Sequence, residues 1–529
     1  MAKPRATKKT QKEERLEDIL FSCRDSLRGR ASQTDKRDLL LTLVFLKFVY
    51  DRFDEQTERI RAEFSDDETL MKLQLSRPAS YGKAGVIFLP EQCRWSYLMN
   101  VEATKMAVAF DDAIRILEQQ EEKLRNALPQ GIFTQCDLEP MVLKGVVDNI
   151  NKIDRHRFAE KDLIGRVYEY YLQAFSINQD KEEGEFYTPH SIVELIATLI
   201  EPFDGTLYDP CCGAGGMFIQ STKLREARGG NTQTVTVYGQ ESEPATFRLA
   251  KMNLAVRGIS YHLGEKACSS FTQDQHKGLK VNYIMANPPF NLKKWRGPEE
   301  LKDDPRWGDY GLPPESNANY AWILHMLSKL NPVDGVAGFL LANGALDDAD
   351  TVSIRQKLIE KDKVEAIIVL PRDMFYSTDI SVTLWILNQN KKASTKNGHK
   401  WRDRSGEILF VDLRTWNQNT YEKGKFVELT KEQIAQVRDI FFTWRTTGAE
   451  PGKKYAKPEL YYGATFEEVK AKGFSLVPSR YIEFVDRDAE LDFTSVLETS
   501  GKEAMDLLAA QADNAAKLAK AFKVLGYNG

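Results

Sequence analysis

An amide, two prolines and an aromatic ring follow directly on an apolar segment in the stretch VNYIMANPPF. Pro288 and Pro289 fix the backbone and donate no hydrogen bond, so this turn offers carbonyl acceptors. The side-chain oxygen of Asn287 and the carbonyl of Pro288 can both accept from one NH₂ group, and Phe290 offers a flat face for stacking. These residues predict a pocket for a planar molecule with an exocyclic amine or an amide, although a plain proline turn has the same composition.

A glycine-rich turn precedes this pocket in the stretch LYDPCCGAGGMF. A short predicted strand ends at Asp209, and glycines then open a helix, which permits a tight turn and the close approach of a ligand to the backbone. The next predicted strand, VTVYG, is followed by Glu241, whose carboxylate suits ribose hydroxyls. Together these features predict a nucleoside site. The chain has neither GxGxxG nor GxxxxGK[ST], which argues against a dinucleotide site and against nucleoside triphosphate hydrolysis.

A third stretch, GEFYTPHSIVELI, predicts the start of a helix. Thr188 suits the N-cap and Pro189 the first helical position. Taken alone this is a well-capped helix, but a helix N-terminus also suits a carboxylate. Beside a nucleoside site, a carboxylate receptor indicates a nucleoside that carries an amino acid, namely S-adenosylmethionine.

The glycine-rich turn DPCCGAGG, the GQE after the next predicted strand and NPPF, in this order along the chain, resemble motifs of the amino-methyltransferases, specifically the N6-adenine DNA methyltransferases. Four further stretches, with the helical N-terminal region, resemble the modification (M) subunit of Type I restriction–modification systems over about residues 12–520. These stretches are DLIGRVYEYYLQAF, GEFYTP, WGDYGLPPESNANYAWILHML and IIVLPRDMFYSTDISVTLWILN.

This resemblance implies an S-adenosylmethionine-dependent enzyme with two groups of site residues. The target adenine would be held by Asn287, Pro288, Pro289 and Phe290. The cofactor would be bound by Glu185, Phe186, Tyr187, Thr188, Pro189, Asp209, Gly213, Ala214, Gly215, Gly216, Glu241 and Glu265. Cys211 and Ala214 stand where the family often has alanine and threonine, and Glu265 stands where many members have aspartate.

The resemblance also implies partners. Two M subunits would join one specificity (S) subunit on double-stranded DNA, and restriction (R) subunits would complete the complex. Three alternatives stay open: a protein glutamine N5-methyltransferase, an inactive scaffold that binds S-adenosylmethionine, and a methyltransferase that recognises DNA by itself.

Composition sets outer limits on these interpretations. The 529-residue chain has a formal net charge of −4, which is not the balance of a protein that holds nucleic acid unaided. Its six cysteines form no CxxC pair, so we expect no metal site and a reducing, cytoplasmic location. The apolar run LLLTLVFLKFVY is too short to cross a bilayer and predicts a buried helix, so no membrane association is expected.

Three regions are expected to position the motifs. Residues 1–155 predict a helical domain that opens with a disordered tail over 1–12. Residues 156–480 predict a doubly wound, Rossmann-like α/β domain with strands at TLYD, VTVYG, VNYIMA, GVAGFLLA, VEAIIVL, VTLWILN and EILFVDL. The stretches NQNKKASTKNGHKWRDRSG and TTGAEPGKKYAKPE read as polar loops.

Residues 481–529 predict a helical C-terminal region with an apolar stripe. This stripe has a 4-3-4-3 spacing and consists of Ala504, Leu508, Gln511, Ala515, Leu518, Phe522 and Leu525. It predicts a helix that either docks on the specificity subunit or packs on its own domain.

Overall fold

The N-terminal region is a helical bundle, as predicted. The computed structural model of the chain describes residues 15–153, 158, 163, 166–167, 170–171, 188–227, 235–375, 382–417, 427–485 and 493–524. The α-helices of the first range are α1 Leu16–Ser26, α2 Gln33–Glu63, α3 Glu68–Ser76, α4 Pro78–Gly82, α5 Trp95–Leu98, α6 Met106–Gln120, α7 Ile132–Gln135 and α8 Pro140–Asn151. The predicted tail over 1–12 lies outside the described residues.

Helix α2 is the central element of this bundle. It begins after Ser32, whose side chain accepts a hydrogen bond of 3.1 Å from the Asp35 N–H and so caps the helix. The apolar run from Leu39 to Val49 is buried throughout, which confirms the predicted buried helix. Within it the Lys47 ammonium is paired with Asp51 at 2.6 Å. None of the helices in the described part of the chain is long and apolar enough to cross a membrane.

The second region is built on a ten-stranded sheet. Its strands and the separate hairpin β8–β9 are β1 Gly205–Asp209, β2 Val235–Gly239, β3 Tyr261–His262, β4 Tyr283–Ala286, β5 Val336–Ala342, β6 Val364–Val369, β7 Val382–Asn388, β8 Ser394–Lys396, β9 His399–Trp401, β10 Glu407–Asp412, β11 Ala456–Lys457 and β12 Tyr461–Thr465. The order across the sheet is β3-β2-β1-β4-β5-β7-β6-β10-β12-β11. Strands β3, β2, β1, β4 and β5 are parallel, and β7 runs antiparallel between β5 and β6. All seven strands predicted from the sequence are present.

Helices cover both faces of this sheet, which confirms the doubly wound prediction. They are α9 His190–Ile200, α10 Gly216–Ala227, α11 Pro244–Val256, α12 Asn319–Lys329, α13 Val352–Glu360, α14 Lys431–Thr446 and α15 Phe466–Ala471. Because side chains alternate along a strand, Tyr283 and Met285 join one core and Ile284 and Ala286 the other. The first core includes α9, α10, α11, α14 and the N-terminal bundle, whereas the second includes α12 and α13.

Polar contacts fix the bundle against α11. The Arg52 guanidinium donates to the Val256 carbonyl at 2.6 Å, and the Lys251 ammonium donates to the Arg125 carbonyl at 2.7 Å. The bundle therefore rests on the helix that follows β2.

Two predictions for the second region were wrong in part. The stretch predicted as a polar loop over 388–406 contains the hairpin β8–β9, and the other polar stretch contains β11, which pairs with β12. All three strands are short and rich in polar residues, so their composition carries no strand signal.

The C-terminal helix α16 spans Phe493–Val524. Every side chain of α16 that the structure describes is exposed, including Leu508 and Leu518 at 59% and 56%. Packing on its own domain, one of the two alternatives for this helix, is therefore not what the structure shows.

Candidate active site

The predicted motifs meet at one edge of the sheet. Strand β1 pairs in parallel with β2 on one side and with β4 on the other. Asp209 is the last residue of β1, Glu241 follows β2 by two residues, and Asn287 is the first residue after β4. Because parallel strands end at the same edge, the glycine-rich turn, the acidic residue and the proline turn lie side by side there.

The glycine-rich turn has the backbone that its glycines allow. Gly213 and Gly215 have φ values of +53° and +83°, a region that side chains with a Cβ rarely adopt. A Cβ added at Gly213 would meet nothing within 4 Å, so open space lies beside this part of the turn. The Asn253 amide of α11 donates to the Ala214 carbonyl at 2.8 Å and holds the turn from below.

Glu241 reaches across to this turn. Its Oε2 accepts a hydrogen bond of 3.0 Å from the Gly213 N–H, and its Oε1 accepts from the N–H groups of Ser242 and Glu243 at 2.7 and 2.9 Å. The Ser242 hydroxyl also donates to Oε1, at 3.3 Å. The predicted acidic residue and the predicted turn are thus in direct contact.

Gln240 is a positioning residue to which the sequence analysis assigned no role. Its side chain is fully buried, and its amide donates to the carbonyls of Cys268 and Gln273 at 3.1 and 2.8 Å. Its backbone accepts from Cys212 and donates to Asp209, at 3.0 and 3.1 Å. One residue therefore joins the segments that follow β1, β2 and β3. A glutamine beside an acidic residue carries no sequence signal for this role.

Asp209 lies buried beneath the turn. Its Oδ1 accepts from the Cys211 N–H at 3.0 Å. Burial raises the pKa of Asp209 from 3.8 to about 7, and the hydrogen bonds from Cys211 offset only part of that effect. Burial also raises the pKa of both Cys211 and Cys212, which keeps these thiols protonated and unreactive.

Asn287 is held by Thr188 across the site. The Asn287 Nδ2 donates a hydrogen bond of 2.9 Å to the Thr188 Oγ1. The Asn287 Oδ1 is buried, and no described residue donates a hydrogen bond to it. Buried polar atoms are nearly always paired, so an unpartnered acceptor at this position indicates a site for a ligand donor.

The prediction that Thr188 caps the following helix was wrong. Helix α9 begins at His190 with Pro189 as its N-cap, and no side chain caps it. The Thr188 hydroxyl instead bonds to an amide 99 residues away along the chain. The first turn of α9 also carries the buried Ser191, whose hydroxyl has no partner among the described residues.

The aromatic residue of the proline turn is fixed by its neighbours. The Phe290 ring meets the buried Phe375 edge to face, with centroids 6.0 Å apart. Asn291, with a φ of +55°, is paired with Asn319 at the start of α12. The Asn291 backbone N–H donates to the Asn319 Oδ1 at 3.0 Å, and the Asn319 Nδ2 donates to the Asn291 Oδ1 at 2.9 Å. This pair attaches the end of the proline turn to the core.

A second support, also absent from the sequence analysis, comes from Arg306. Its guanidinium donates to the carbonyls of Ser270 and Phe271 at 2.9 and 2.5 Å and to the His325 Nδ1 at 3.0 Å. The Ser270 hydroxyl donates to the Pro210 carbonyl at 2.5 Å, beside the glycine-rich turn. Burial and the guanidinium lower the pKa of His325 to about 3, so this imidazole is neutral and acts as a structural acceptor.

The remaining predicted residues are placed as follows. Glu265 lies after β3 with an exposed side chain, and its N–H donates to the Gln275 side chain at 2.7 Å. Glu185, Phe186 and Tyr187 lie outside the described residues. No cluster of metal-ligating side chains occurs in the part of the chain that the structure describes.

The fold and this edge define a methyltransferase-type α/β domain, and sequence comparison assigns it to a family. Residues 159–490 match the family model described as N-6 DNA Methylase, and residues 16–150 match that of the HsdM N-terminal domain. The chain belongs to the N-6 DNA methylase family.

Individual relatives agree with this assignment. The Type I restriction enzyme HindI methylase subunit of Haemophilus influenzae is 35% identical over 468 residues, which is 83% of this chain and 100% of that protein. The MjaIX methylase subunit of Methanocaldococcus jannaschii is 30% identical, over 97% of this chain and 92% of that protein. The type I methyltransferase subunit from Streptococcus thermophilus has the same fold, with a TM-score of 0.68, 22% identity, and coverage of 88% of this chain and 98% of that one.

The raised pKa of Asp209 predicts a pH dependence of stability. Between pH 3.8 and about pH 7 this carboxyl is ionised in the unfolded chain but protonated in the folded one. Its contribution to stability is therefore complete below pH 3.8 and is lost as the pH rises to about 7. The free energy of unfolding of the wild type should fall relative to that of Asp209→Asn over this range, as measured by urea denaturation at several pH values without ligand. Asp303→Asn, which removes an exposed carboxylate, is the control, and parallel curves for wild type and Asp209→Asn would contradict the assignment.

Proposed function

We propose that this chain transfers the methyl group of S-adenosylmethionine to the N6 amine of a flipped-out adenine in DNA, as the modification subunit of a Type I restriction–modification complex. The observation that carries the proposal is the Asn287 Oδ1 at the carboxyl end of β4, which is buried and accepts no hydrogen bond from any described residue. An amine that donates to this oxygen would lie beside the Phe290 ring and next to the glycine-rich turn. Family membership and the names of the relatives support the same reaction.

The residues present fit S-adenosylmethionine. The open space at Gly213 and the unpartnered Ser191 hydroxyl in the first turn of α9 suit its amino-acid end, where a helix N-terminus favours a carboxylate. The Glu241 carboxylate suits its ribose hydroxyls. When bound, the cofactor supplies a methyl group already activated by a sulfonium sulfur.

The chain contributes position and hydrogen-bond acceptors. The adenine amine is a weak nucleophile because its lone pair is shared with the ring. Acceptors at Asn287 and Pro288 stabilise this amine as it becomes tetrahedral and gains positive charge. Holding the reacting atoms in line can supply about 7–11 kcal/mol. Flipping the base out of the duplex costs a few kcal/mol, and stacking on Phe290 offsets about 1–3 kcal/mol of it.

The alternatives receive less support. A protein glutamine methyltransferase would use the same kind of acceptor pocket, but the relatives that cover most of this chain are named restriction enzyme methylase subunits. An inactive scaffold would not need an unpartnered acceptor on Asn287 beside an aromatic ring. An adenine-specific DNA methyltransferase is the interpretation that uses every feature of the site.

Specificity for a DNA sequence would come from partners. A net charge of −4 is poor for unaided binding to DNA, and we assign sequence recognition to a specificity subunit shared by two copies of this chain. Helix α16 is the proposed docking element, because its apolar stripe is solvent-exposed in the isolated chain. Restriction subunits would complete the assembly, with double-stranded DNA as the substrate.

Methyl transfer provides the direct test. Tritiated S-adenosylmethionine is incubated with unmethylated DNA and the chain, with and without its specificity subunit, and the DNA is digested to nucleosides. Label in N6-methyladenine only with the partner is expected. Asn287→Ala should abolish this label without weakening the binding of S-adenosylhomocysteine by more than about threefold, because the amide acts on the amine. Methylation by Asn287→Ala at the wild-type rate would overturn the proposed mechanism.

Glu241 should govern cofactor affinity. Glu241→Ala removes a charged acceptor, and loss of such hydrogen bonds costs about 1.5–3 kcal/mol, or roughly 10- to 150-fold in the dissociation constant of S-adenosylhomocysteine. Isothermal titration calorimetry measures this change. Glu243→Ala, which alters an exposed neighbour, is the matched control and should bind like the wild type. An unchanged constant in Glu241→Ala would remove its assigned contact with the ribose.

The docking assignment can be tested on the two faces of α16. The double variant Leu508→Asp and Leu518→Asp places two charges on the apolar stripe, and Ala509→Asp and Ala516→Asp places two on the opposite face. Co-purification with the specificity subunit should be lost only in the first pair, because charges there would be buried without partners. Equal binding by both pairs would show that α16 does not dock through its stripe.

A further inference from the structure

The Thr188 hydroxyl accepts a hydrogen bond from Asn287, and its own proton has no acceptor among the described residues. Its oxygen accepts the Asn287 Nδ2–H at 2.9 Å, and an amide nitrogen can only donate, so this bond leaves the hydroxyl proton for a second acceptor. No described residue accepts that proton. Thr188 stands one residue before the N-cap of α9, next to the helix end whose buried Ser191 hydroxyl is also unpartnered. Both hydroxyls therefore remain available to one ligand at this end of the helix.

The same contact permits two orientations of the Asn287 amide. In one orientation Nδ2 donates to Thr188 and Oδ1 lies toward the adenine site, as the structure shows. With the amide turned over, the Thr188 hydroxyl would donate to Oδ1, and Nδ2 would face the adenine site instead. Only the first orientation can accept a hydrogen bond from an exocyclic amine. The choice between them depends on where the Thr188 proton goes.

We propose that Thr188 is a positioning residue that couples cofactor binding to recognition of the adenine amine. When Thr188 donates its proton to the carboxylate of S-adenosylmethionine or S-adenosylhomocysteine, its oxygen can only accept from Asn287. The amide is then held with Oδ1 toward the adenine. The bound cofactor thus selects the orientation that catalysis needs. This inference rests on the proposed function, since it assumes that carboxylate and adenine occupy the two sides of the Thr188–Asn287 pair.

Coupling of this kind is reciprocal and selective for the amine. A ligand that favours one of two states shifts the affinity of a second ligand that needs the same state, and typical couplings are about 5- to 150-fold. S-adenosylhomocysteine should therefore tighten binding of DNA whose target base is adenine. It should tighten binding less when the target base is purine, which has no exocyclic amine to reach Oδ1.

The experiment measures this difference on the complex of the chain with its specificity subunit. Dissociation constants for duplexes with adenine or purine at the target position are determined with and without S-adenosylhomocysteine. In the wild type, S-adenosylhomocysteine should lower the dissociation constant of the adenine duplex at least about fivefold more than that of the purine duplex. Thr188→Val, of similar shape but without a hydroxyl, should abolish this difference, and Thr188→Ser should retain it. Thr188→Ala replaces the valine variant if that protein does not fold.

Matched measurements separate the possible failures. Thr446→Val removes a hydroxyl that bonds within α14, outside the site, and should preserve the difference. An adenine-selective effect that persists in Thr188→Val, or that is absent from a wild type active in methyl transfer, would overturn the role of Thr188 alone. Absence of methyl transfer by the wild-type complex would instead overturn the proposed function. If Thr188→Val weakened the binding of both duplexes equally, the role of Thr188 would be purely structural, and this result would also overturn the coupling.

Discussion

The parallel pairing of β1 with β2 and β4 is the constraint on which the site depends. The register places Asp209 beside Gly239 and brings the segments after three strands to one edge. Gln240 then joins these segments through hydrogen bonds from its backbone and its side chain. Because Gln240 is fully buried, its amide must be satisfied within the protein, and loops displaced from one another would leave it unpaired. The hydrogen bonds of Gln240 therefore both position these loops and stabilise them in that position.

The opposite holds at the proline turn, where no described residue donates a hydrogen bond to the buried Asn287 Oδ1. An unpartnered buried oxygen costs about 1–3 kcal/mol, and the core around Asn287 must offset that cost. The attachments on each side make this possible: the β4 strand lies between β1 and β5, and the Asn291–Asn319 pair fixes the far end of the turn. A rigid acceptor needs little reorganisation when an amine arrives, which is the condition for electrostatic stabilisation of a developing charge.

Outside the site, the rest of the molecule provides support and surface. Arg306 fixes the segment at 270–271 through backbone carbonyls, and the neutral His325 connects it to Tyr208 of β1, with a bond of 3.0 Å. The N-terminal bundle rests on α11 through Arg52 and Lys251. Helix α16 contributes exposed apolar surface instead, and such surface on a monomer generally marks an interaction site.

The sequence by itself determined the local chemistry and the order of the elements. The Asn-Pro-Pro-Phe turn, the glycine-rich turn and the acidic residue after β2 were all recognisable, since each is a short motif whose residue types are required by its backbone or its ligand. The strands β1, β2, β4, β5, β6, β7 and β10 were predicted from largely apolar runs, which are typical of strands buried in a sheet. Polar strands such as β8, β9 and β11 had no such signal.

Only the tertiary structure decided the partners of individual polar groups. Thr188 suited a helix cap by its local sequence, yet its hydroxyl bonds to Asn287, 99 residues away. Gln240 and Arg306 act through backbone carbonyls, which any sequence provides, so no residue pattern marks their partners. The stripe on α16 was compatible with a buried or an exposed helix until the fold showed it in solvent. Hydrogen bonds between distant segments depend on how the chain packs in three dimensions, and spacing along the chain does not record that packing.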